Sequence, residues 1–525
     1  MFYNSSGEYN DCVSHGACSI PPNISSMNET MVTLLKQTAY YLINSIKLGY
    51  KNKKYLHNVL YYLAFIDSLK DFSESKVIEI FSDVYLNLNL AKNDYIKLCK
   101  KQNILCVHLK NIIKFPKKLT ILSILKLGEK QYYEKNKRLS SDKKYLNEIL
   151  LSVIKNTALN LINLTEYDKN NLNSEELILE SLNYLNLTNQ SKEKLKDYTC
   201  ELSRISIEIL EAINSAITEK YGIMEETSVS LSTRPNKAIL VSGSNLNDLS
   251  KVLNASQNYD IDIYTNGNLL LAHSYPYFKN FKNLKGHFGN GTISNILDFA
   301  TFPGAILLTK HETQNIEYLY RGRLFTTEKI EPKGVSKIEN NDFSKLIDSA
   351  MQAKGFAKGQ IKENKVVGFN LKEIDKILDD FLALNPQAIF ITGFIDNSVN
   401  AYNYLKIFLS NLPNNFFAIS FSHNIIKDNI LFFDICNNFS LSYFILKKLF
   451  SKIKINNNKI HFLFTKCDVN TLTSMIYLKN KGAKNISLLE CSSTSINPAV
   501  LKVFNNIYNI NKLTNPILDL KNIVQ

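Results

Sequence analysis

Thiols are the residues of this chain with the most chemistry in them, and two stand close together near its start. In NDCVSHGACSI, residues 10–20, Cys12 and Cys18 are separated by five residues. That spacing suits half of a metal site, because thiolates are soft anionic donors, and it equally suits two inert side chains. The other six cysteines are Cys99, Cys106, Cys200, Cys436, Cys467 and Cys491. In a cytoplasmic chain none is expected in a disulfide. Cys99 and Cys106 read as two positions on one helix and Cys200 as the residue before another, all three buried and inert.

A second group lies after short apolar runs in the later half: Ser244, Asn266, Asn268, His311, Glu312, Ile395, Asp396, Ser422, His423, Cys436, Cys467 and Asp468. If those runs are parallel strands, these positions sit where ligands bind, beyond the carboxyl ends of a doubly wound sheet. As a catalytic set they are unspecific. The chain has no G-x-G-x-x-G, no P-loop, no H-E-x-x-H and no nucleophile elbow.

The elements that must position them are legible in outline. From about residue 28 to 225 the apolar residues recur at three and four spacing, as in NETMVTLLKQTAYYLINSIKLGY, KKYLHNVLYYLAFIDSLKDF, YLNEILLSVIKNTALNLINL and EKLKDYTCELSRISIEILEAINSAITEKYG. This predicts antiparallel helical bundles, with Gly49 as a stop and residues 167–174 as a loop. Near residue 230 the period shortens. KAILVSG, DIDIYTNG, GAILLTK, QAIFITG, NFFAISFS, KIHFLFT and KNISLLE read as strands, alternating with helices such as SNLNDLSKVL, VNAYNYLKIFLSNL and NTLTSMIYLKNKG. The expected fold is multidomain α and α/β: N-terminal helical bundles, then two doubly wound, Rossmann-like parallel-sheet domains. The expected boundaries are 1–229, 230–360 and 361–525, with the Gly- and Lys-rich stretch 350–370 between the two sheets.

Composition narrows the class. The chain has 525 residues, 45% of them hydrophobic and 21% charged, as in an ordinary globular protein. No apolar run reaches a bilayer-spanning length and no basic-then-apolar leader is visible, so a cytoplasmic protein without a membrane partner is expected. The net charge of +14 is concentrated in residues 92–148, where 15 Lys or Arg face 5 Asp or Glu. Those lysines alternate with Leu, Ile and Tyr at helical spacing, the pattern of a solvated helix face. No reader motif accompanies them, so nucleic acid is not an expected partner.

One further feature is a resemblance. LSTRPNKAILVSGSNLNDLSKVL, IDIYTNGNLLLAHSYPYFKNFKNLKGHFG, FATFPGAILLTKHE, YRGRLFTT and GAKNISLLECSSTSINPAVLKVF resemble the hybrid cluster proteins. These are also called prismane proteins or hydroxylamine reductases, relatives of the nickel carbon monoxide dehydrogenases. The phrases R-P-x-K-A-I-L-V-S-G and Y-T-x-G-x-L-L-x-A-H-x-Y-P carry the match, which extends over most of the chain. The resemblance implies an oxidoreductase with a helical domain and two α/β domains. It also implies an iron–sulfur cluster on four N-terminal cysteines, and a hybrid iron–sulfur–oxygen cluster held by one His, two Glu and four Cys beside a Lys.

Carried over residue by residue, the ligand pattern is depleted. The first N-terminal pair falls on Tyr3 and Ser6, and the second on Cys12 and Cys18. The hybrid-cluster histidine falls on Ser244 and its first glutamate on Asn268. The four cysteines fall on Glu312, Ile395, Ser422 and Cys436; the late glutamate falls on Asp468 and the lysine on Asn470. The expected function is therefore a divergent hydroxylamine reductase-like homologue without a working hybrid cluster, serving as a binding or regulatory module. It would act alone or paired with an intact homologue, on a ligand the sequence does not identify. The alternative is a metalloenzyme with a single ion on Glu312, Cys436 and Asp468, joined by His311 or His423. On either reading Ser244, Asn268, Glu312, Cys436 and Asp468 are expected around one cavity.

Overall fold

A computed structural model describes residues 22–66, 72–169, 172–289, 296–310, 322–332, 334–393, 399–422, 424–436, 438–489, 496 and 498–524. The chain divides into two compact units, residues 1–213 with 464–514 and residues 214–463 with 515–525.

The first unit is mainly helical. Its helices are α1 (Pro22–Lys47), α2 (Lys53–Phe65), α3 (Glu74–Lys101), α4 (Ile121–Arg138), α5 (Ser141–Thr165), α6 (Leu172–Tyr184) and α7 (Lys192–Tyr221). Local chemistry sets their ends. Asn52 caps α2 by accepting from the Tyr55 amide, Ser73 caps α3 from Lys76, and Thr120 and Ser123 form a capping box at the start of α4. Helix α1 stops as expected at Gly49, whose φ of 83° turns the chain so that the Tyr50 amide reaches the Ser45 carbonyl at 2.9 Å.

Helix α1 buries Met31, Leu34, Leu35, Ala39 and Leu42 along one stripe. It meets α4 almost backbone to backbone. The Thr30 hydroxyl donates to the Ile124 carbonyl at 2.8 Å, and a Cβ placed on Gly128 would lie 1.8 Å from the Ser26 carbonyl oxygen. Beside this crossing Lys135 binds Glu29 at 3.2 Å and Glu148 at 2.9 Å, joining α4 to α1 and α5.

Two parallel six-stranded sheets make up the α/β part. The elements after α7 run β1 (Thr227–Val229), β2 (Lys237–Ser242), α8 (Leu246–Ser256), β3 (Ile261–Asn266), a 3-10 helix (Gly267–Ser274), α9 (Pro276–Lys279), β4 (Leu284–His287), α10 (Ile296–Thr301), β5 (Ala305–Leu308), β6 (Leu324–Thr326), β7 (Ser336–Lys337) and α11 (Ser344–Gln352). Then come β8 (Lys365–Val367), α12 (Ile374–Ala383), β9 (Ala388–Thr392), α13 (Val399–Ser410), β10 (Phe416–Ser420), β11 (Ile430–Phe432), α14 (Phe439–Lys452), β12 (Ile460–Phe464), α15 (Val469–Asn480), β13 (Asn485–Leu489), α16 (Pro498–Tyr508), β14 (Asn511–Leu513) and α17 (Pro516–Val524).

The first sheet has the order β4-β3-β2-β5-β6-β7 and the second β11-β10-β9-β12-β13-β14. Each is the doubly wound order 3-2-1-4-5-6, which reverses at β2/β5 and at β9/β12. All seven expected strands are present, and their central residues are buried on both faces, as covered parallel strands require. Tyr264, Phe288, Phe302, Ile306 and Leu324 pack into one cluster against the first sheet.

The stretch 350–370 does more than connect. Strand β8 pairs antiparallel with β1, and isolated bridges join Thr233 to Gln360 and Asn236 to Phe356. It therefore folds back along the segment that leads into β2.

Replacing Gly128 by Ala drives a methyl into the Ser26 carbonyl and forces α1 and α4 apart. The expected loss is about 1–3 kcal/mol, the usual range for overpacking, read as a lower urea midpoint. An unchanged midpoint would contradict the close crossing.

Candidate functional site

The expected ligand positions follow the carboxyl ends of strands, and side chains hold those ends together. Gly243, at φ 134°, turns the chain after β2; its carbonyl accepts from the Leu269 amide at 2.8 Å. The amides of Ser244 and Asn245 donate to the Thr309 hydroxyl after β5, at 3.2 and 3.4 Å, and Asn245 caps α8. Ser244 is exposed at this turn, and Asn268 is half-buried in the first turn of the 3-10 helix.

Asn266, singled out as a strand-end residue, is fully buried and structural. Its Oδ1 accepts from Ser242 at 2.9 Å, while its Nδ2 donates to the Phe288 carbonyl at 2.7 Å and to Asp298 at 3.1 Å.

In the second sheet Gly393, at φ 82° after β9, presses on Ser422 after β10; a Cβ there would lie 2.4 Å from the Ser422 Oγ. Cys436 follows β11 with its backbone in the left-handed region at φ 46°, a conformation that costs a non-glycine residue about 1–3 kcal/mol. Its buried thiol lies 3.5 Å from Asp434 Oδ1 and takes a hydrogen bond from the Leu271 amide. The Cys436 loop is thus brought against the 3-10 helix that carries Asn268. Burial pushes the Cys436 thiol well above the ordinary thiol range. The Asp434 carboxylate adds to this, whereas Lys365, 3.8 Å from Asp434, opposes it.

Asp468 serves as the N-cap of α15. One carboxylate oxygen accepts from the Thr471 amide at 2.8 Å and the other binds Lys466 at 2.9 Å. Cys467, expected free, is disulfide-bonded. Cys12, Cys18, His311, Glu312, Ile395, Asp396, His423 and Cys491 lie outside the described residues. Among the described residues no three His, Cys, Asp or Glu side chains are grouped as a metal site, and no helix is long and apolar enough to cross a membrane.

Sequence reasoning missed a polar chain under β3 and β4. The buried Thr265 hydroxyl lies 2.9 Å from His273 Nε2 and 2.9 Å from His287 Nδ1. His273 also donates a ring N–H to the Gly286 carbonyl, so in the neutral ring Nε2 accepts from Thr265. Thr265 in turn accepts from His287 Nδ1–H, and all three polar orientations are set. Burial, then the neighbouring His287, pushes His273 down to about 3, so it stays neutral at ordinary pH. The signal was present in Y-T-N-G-N-L-L-L-A-H, which places Thr265 and His273 together.

Comparison with known proteins completes the description. A model of the prismane/CO dehydrogenase family matches residues 8–401. A hydroxylamine reductase of Burkholderia lata is 35% identical over 216 residues, 40% of this chain and 39% of that protein. Another, of Thermodesulfovibrio yellowstonii, is 28% identical over 343 residues, 61% of this chain and 63% of that protein. The chain thus spans less than two thirds of these relatives' own length. A solved alpha subunit of acetyl-CoA synthase/carbon monoxide dehydrogenase overlays 100% of this chain and 86% of its own at a TM-score of 0.47 and 10% identity, too loose a likeness to carry an argument.

Three outcomes follow from the site. Thr265→Val strands two buried imidazole nitrogens and should cost about 1–3 kcal/mol in denaturant unfolding, with Thr265→Ser close to wild type. His273 titrates near 6.5 when unfolded and only at about 3 when folded. Its contribution is therefore complete above the unfolded value and is lost as pH falls through the window between the two. Unfolding midpoints that stay flat from neutral pH to about 4 would overturn the assignment. Asp468→Ala should lose a cap, about 1 kcal/mol, whereas Asp468→Asn should keep most of it.

Proposed function

The chain belongs to the prismane/CO dehydrogenase family, and from that premise we propose that it is a divergent hydroxylamine reductase homologue without a working hybrid iron–sulfur–oxygen cluster, acting as a binding or regulatory module. The observation that carries this reading is the donor set at the positions the resemblance assigns. Ser244, Asn268, Glu312, Ile395, Ser422, Cys436 and Asp468 offer one thiol where the family has four. Isoleucine has no donor atom, and neutral hydroxyl and amide groups are poor partners for iron–sulfur chemistry.

The described geometry supports the same reading. The remaining thiol, Cys436, is held protonated by burial and by Asp434, and Asp468 has both oxygens engaged in a cap and an ion pair. These residues do not fit the family's cluster.

One observation favours a second reading. Cys436 keeps a strained left-handed backbone that places its sulfur beside the Asp434 carboxylate, a thiol–carboxylate pair able to contribute to a single-ion site with Glu312.

Protein purified under nitrogen should carry iron and acid-labile sulfide far below stoichiometry and should not reduce hydroxylamine with reduced methyl viologen as donor. Stoichiometric iron with matching sulfide, or turnover, would overturn the proposal. One equivalent of zinc or iron that is lost in Cys436→Ala would establish the second reading in its place.

A further inference from the structure

Helix α3 ends at Lys101, where the chain reverses. Asn103 takes a φ of 53°, and the Ile104 amide donates to the Cys99 carbonyl at 2.9 Å, so the following loop doubles back over the helix's last turn. The reversal sets Cys106 against Cys99. Their side chains are hydrogen-bonded, and the Tyr95 hydroxyl bonds to the Cys99 sulfur as well.

The loop is fastened in that position on both sides. The Val107 amide donates to the Tyr95 hydroxyl at 3.3 Å, and the Tyr40 hydroxyl donates to the Val107 carbonyl at 2.9 Å. Gln37 then holds the Asn111 carbonyl at 2.9 Å and the Ile113 amide at 3.0 Å. Both cysteines are free thiols, Cys99 fully buried and Cys106 partly exposed. Around Cys106 the loop is open to solvent, with Leu105 87% and Val107 60% exposed.

This arrangement corrects the expectation of two buried positions on one helix: Cys99 is on α3, and Cys106 is on the loop that follows it. One sulfur meets solvent, the other does not, and the two touch. We propose that Cys99 and Cys106 form a dithiol–disulfide modification site, closed by a low-molecular-weight disulfide. Neither residue belongs to the candidate ligand positions, so the proposal does not depend on the reading of that pocket.

The step balances as thiol–disulfide exchange. The Cys106 thiolate attacks one sulfur of the small disulfide, whose S–S bond breaks and releases one small thiolate. Cys99, deprotonated in turn, attacks the Cys106 sulfur of the mixed disulfide and expels the second small thiolate. The protein loses two electrons and the oxidant gains them; the two protons end on the released thiols. The oxidant enters at Cys106 because Cys99 is buried, and the contact between the two thiols places Cys99 for the second attack. The hydrogen bond to Cys99, then partial burial, raises the Cys106 thiol above its ordinary value. Exchange is therefore slow at neutral pH and quickens as pH rises.

The test uses the full chain, reduced, desalted under nitrogen and exposed to glutathione disulfide, then alkylated, digested with trypsin and examined by mass spectrometry. The expected product joins the peptide ending in Cys99–Lys100 to the peptide containing Cys106, two hydrogens lighter than the pair. It should form faster at higher pH. In Cys99→Ser the Cys106 peptide should accumulate with glutathione attached. In Cys106→Ser, Cys99 should remain unmodified. Wild-type protein with glutathione retained on Cys106 and Cys99 alkylated, or with neither cysteine oxidised, would overturn the proposal. A Cys106→Ser variant that takes glutathione on Cys99 would do so too.

Discussion

The carboxyl ends of the strands in the first sheet are tied to one another by buried side chains, and the loops that follow inherit their positions from those ties. Ser242, Asn266 and Asp298 form one link, and Thr309 with the amides of Ser244 and Asn245 forms another. Hydrogen bonds of this kind are worth little net when made and much more when broken, because a buried amide or hydroxyl left alone keeps its full desolvation cost. The frame therefore persists independently of what stands at the exposed positions between the ties. The side chain at Ser244 is free to vary without disturbing Thr309, because the contact is made by its backbone.

The same separation explains what could be read from the sequence. The central strands were legible because covered parallel strands must be apolar on both faces, and KAILVSG or QAIFITG has no other comfortable place. The long amphipathic helices were legible for the same reason at a different period. Short edge elements such as β7, β11 and β14 were not, since two or three residues at a sheet margin carry no periodic signal. Helix α3 was read only at its end, as the helix that carries Cys99, though it runs from a capping serine to a lysine-rich last turn.

The site was legible only in part. That Ser244, Asn268 and Ser422 follow strand ends could be read from spacing, but what each side chain does there could not. Asp468 invited a ligand reading because it stands where the resemblance puts a glutamate; an acid directly before a helix start is equally a cap, and that is the role it has. Asn266 looked like a reaching polar residue and is a buried tie. Cys99 and Cys106 were misread because seven residues match two helical turns. The reversal at Gln102 and Asn103 breaks that register, and its only trace in the sequence is one poor helix former, Asn103, after Gln102 and two lysines.

The two sheets share more than a type. Both wind in the order 3-2-1-4-5-6, and the innermost strand of each carries the same short phrase, A-I-x-x-S-G in Ala238–Gly243 and A-I-x-x-T-G in Ala388–Gly393. Each phrase ends on a glycine with positive φ, 134° at Gly243 and 82° at Gly393. Handedness rules make one such winding common, but they do not oblige two in succession to begin on the same words. The later half of this chain therefore builds the same strand-to-turn corner twice, once in each sheet, each on a glycine in a conformation other residues resist.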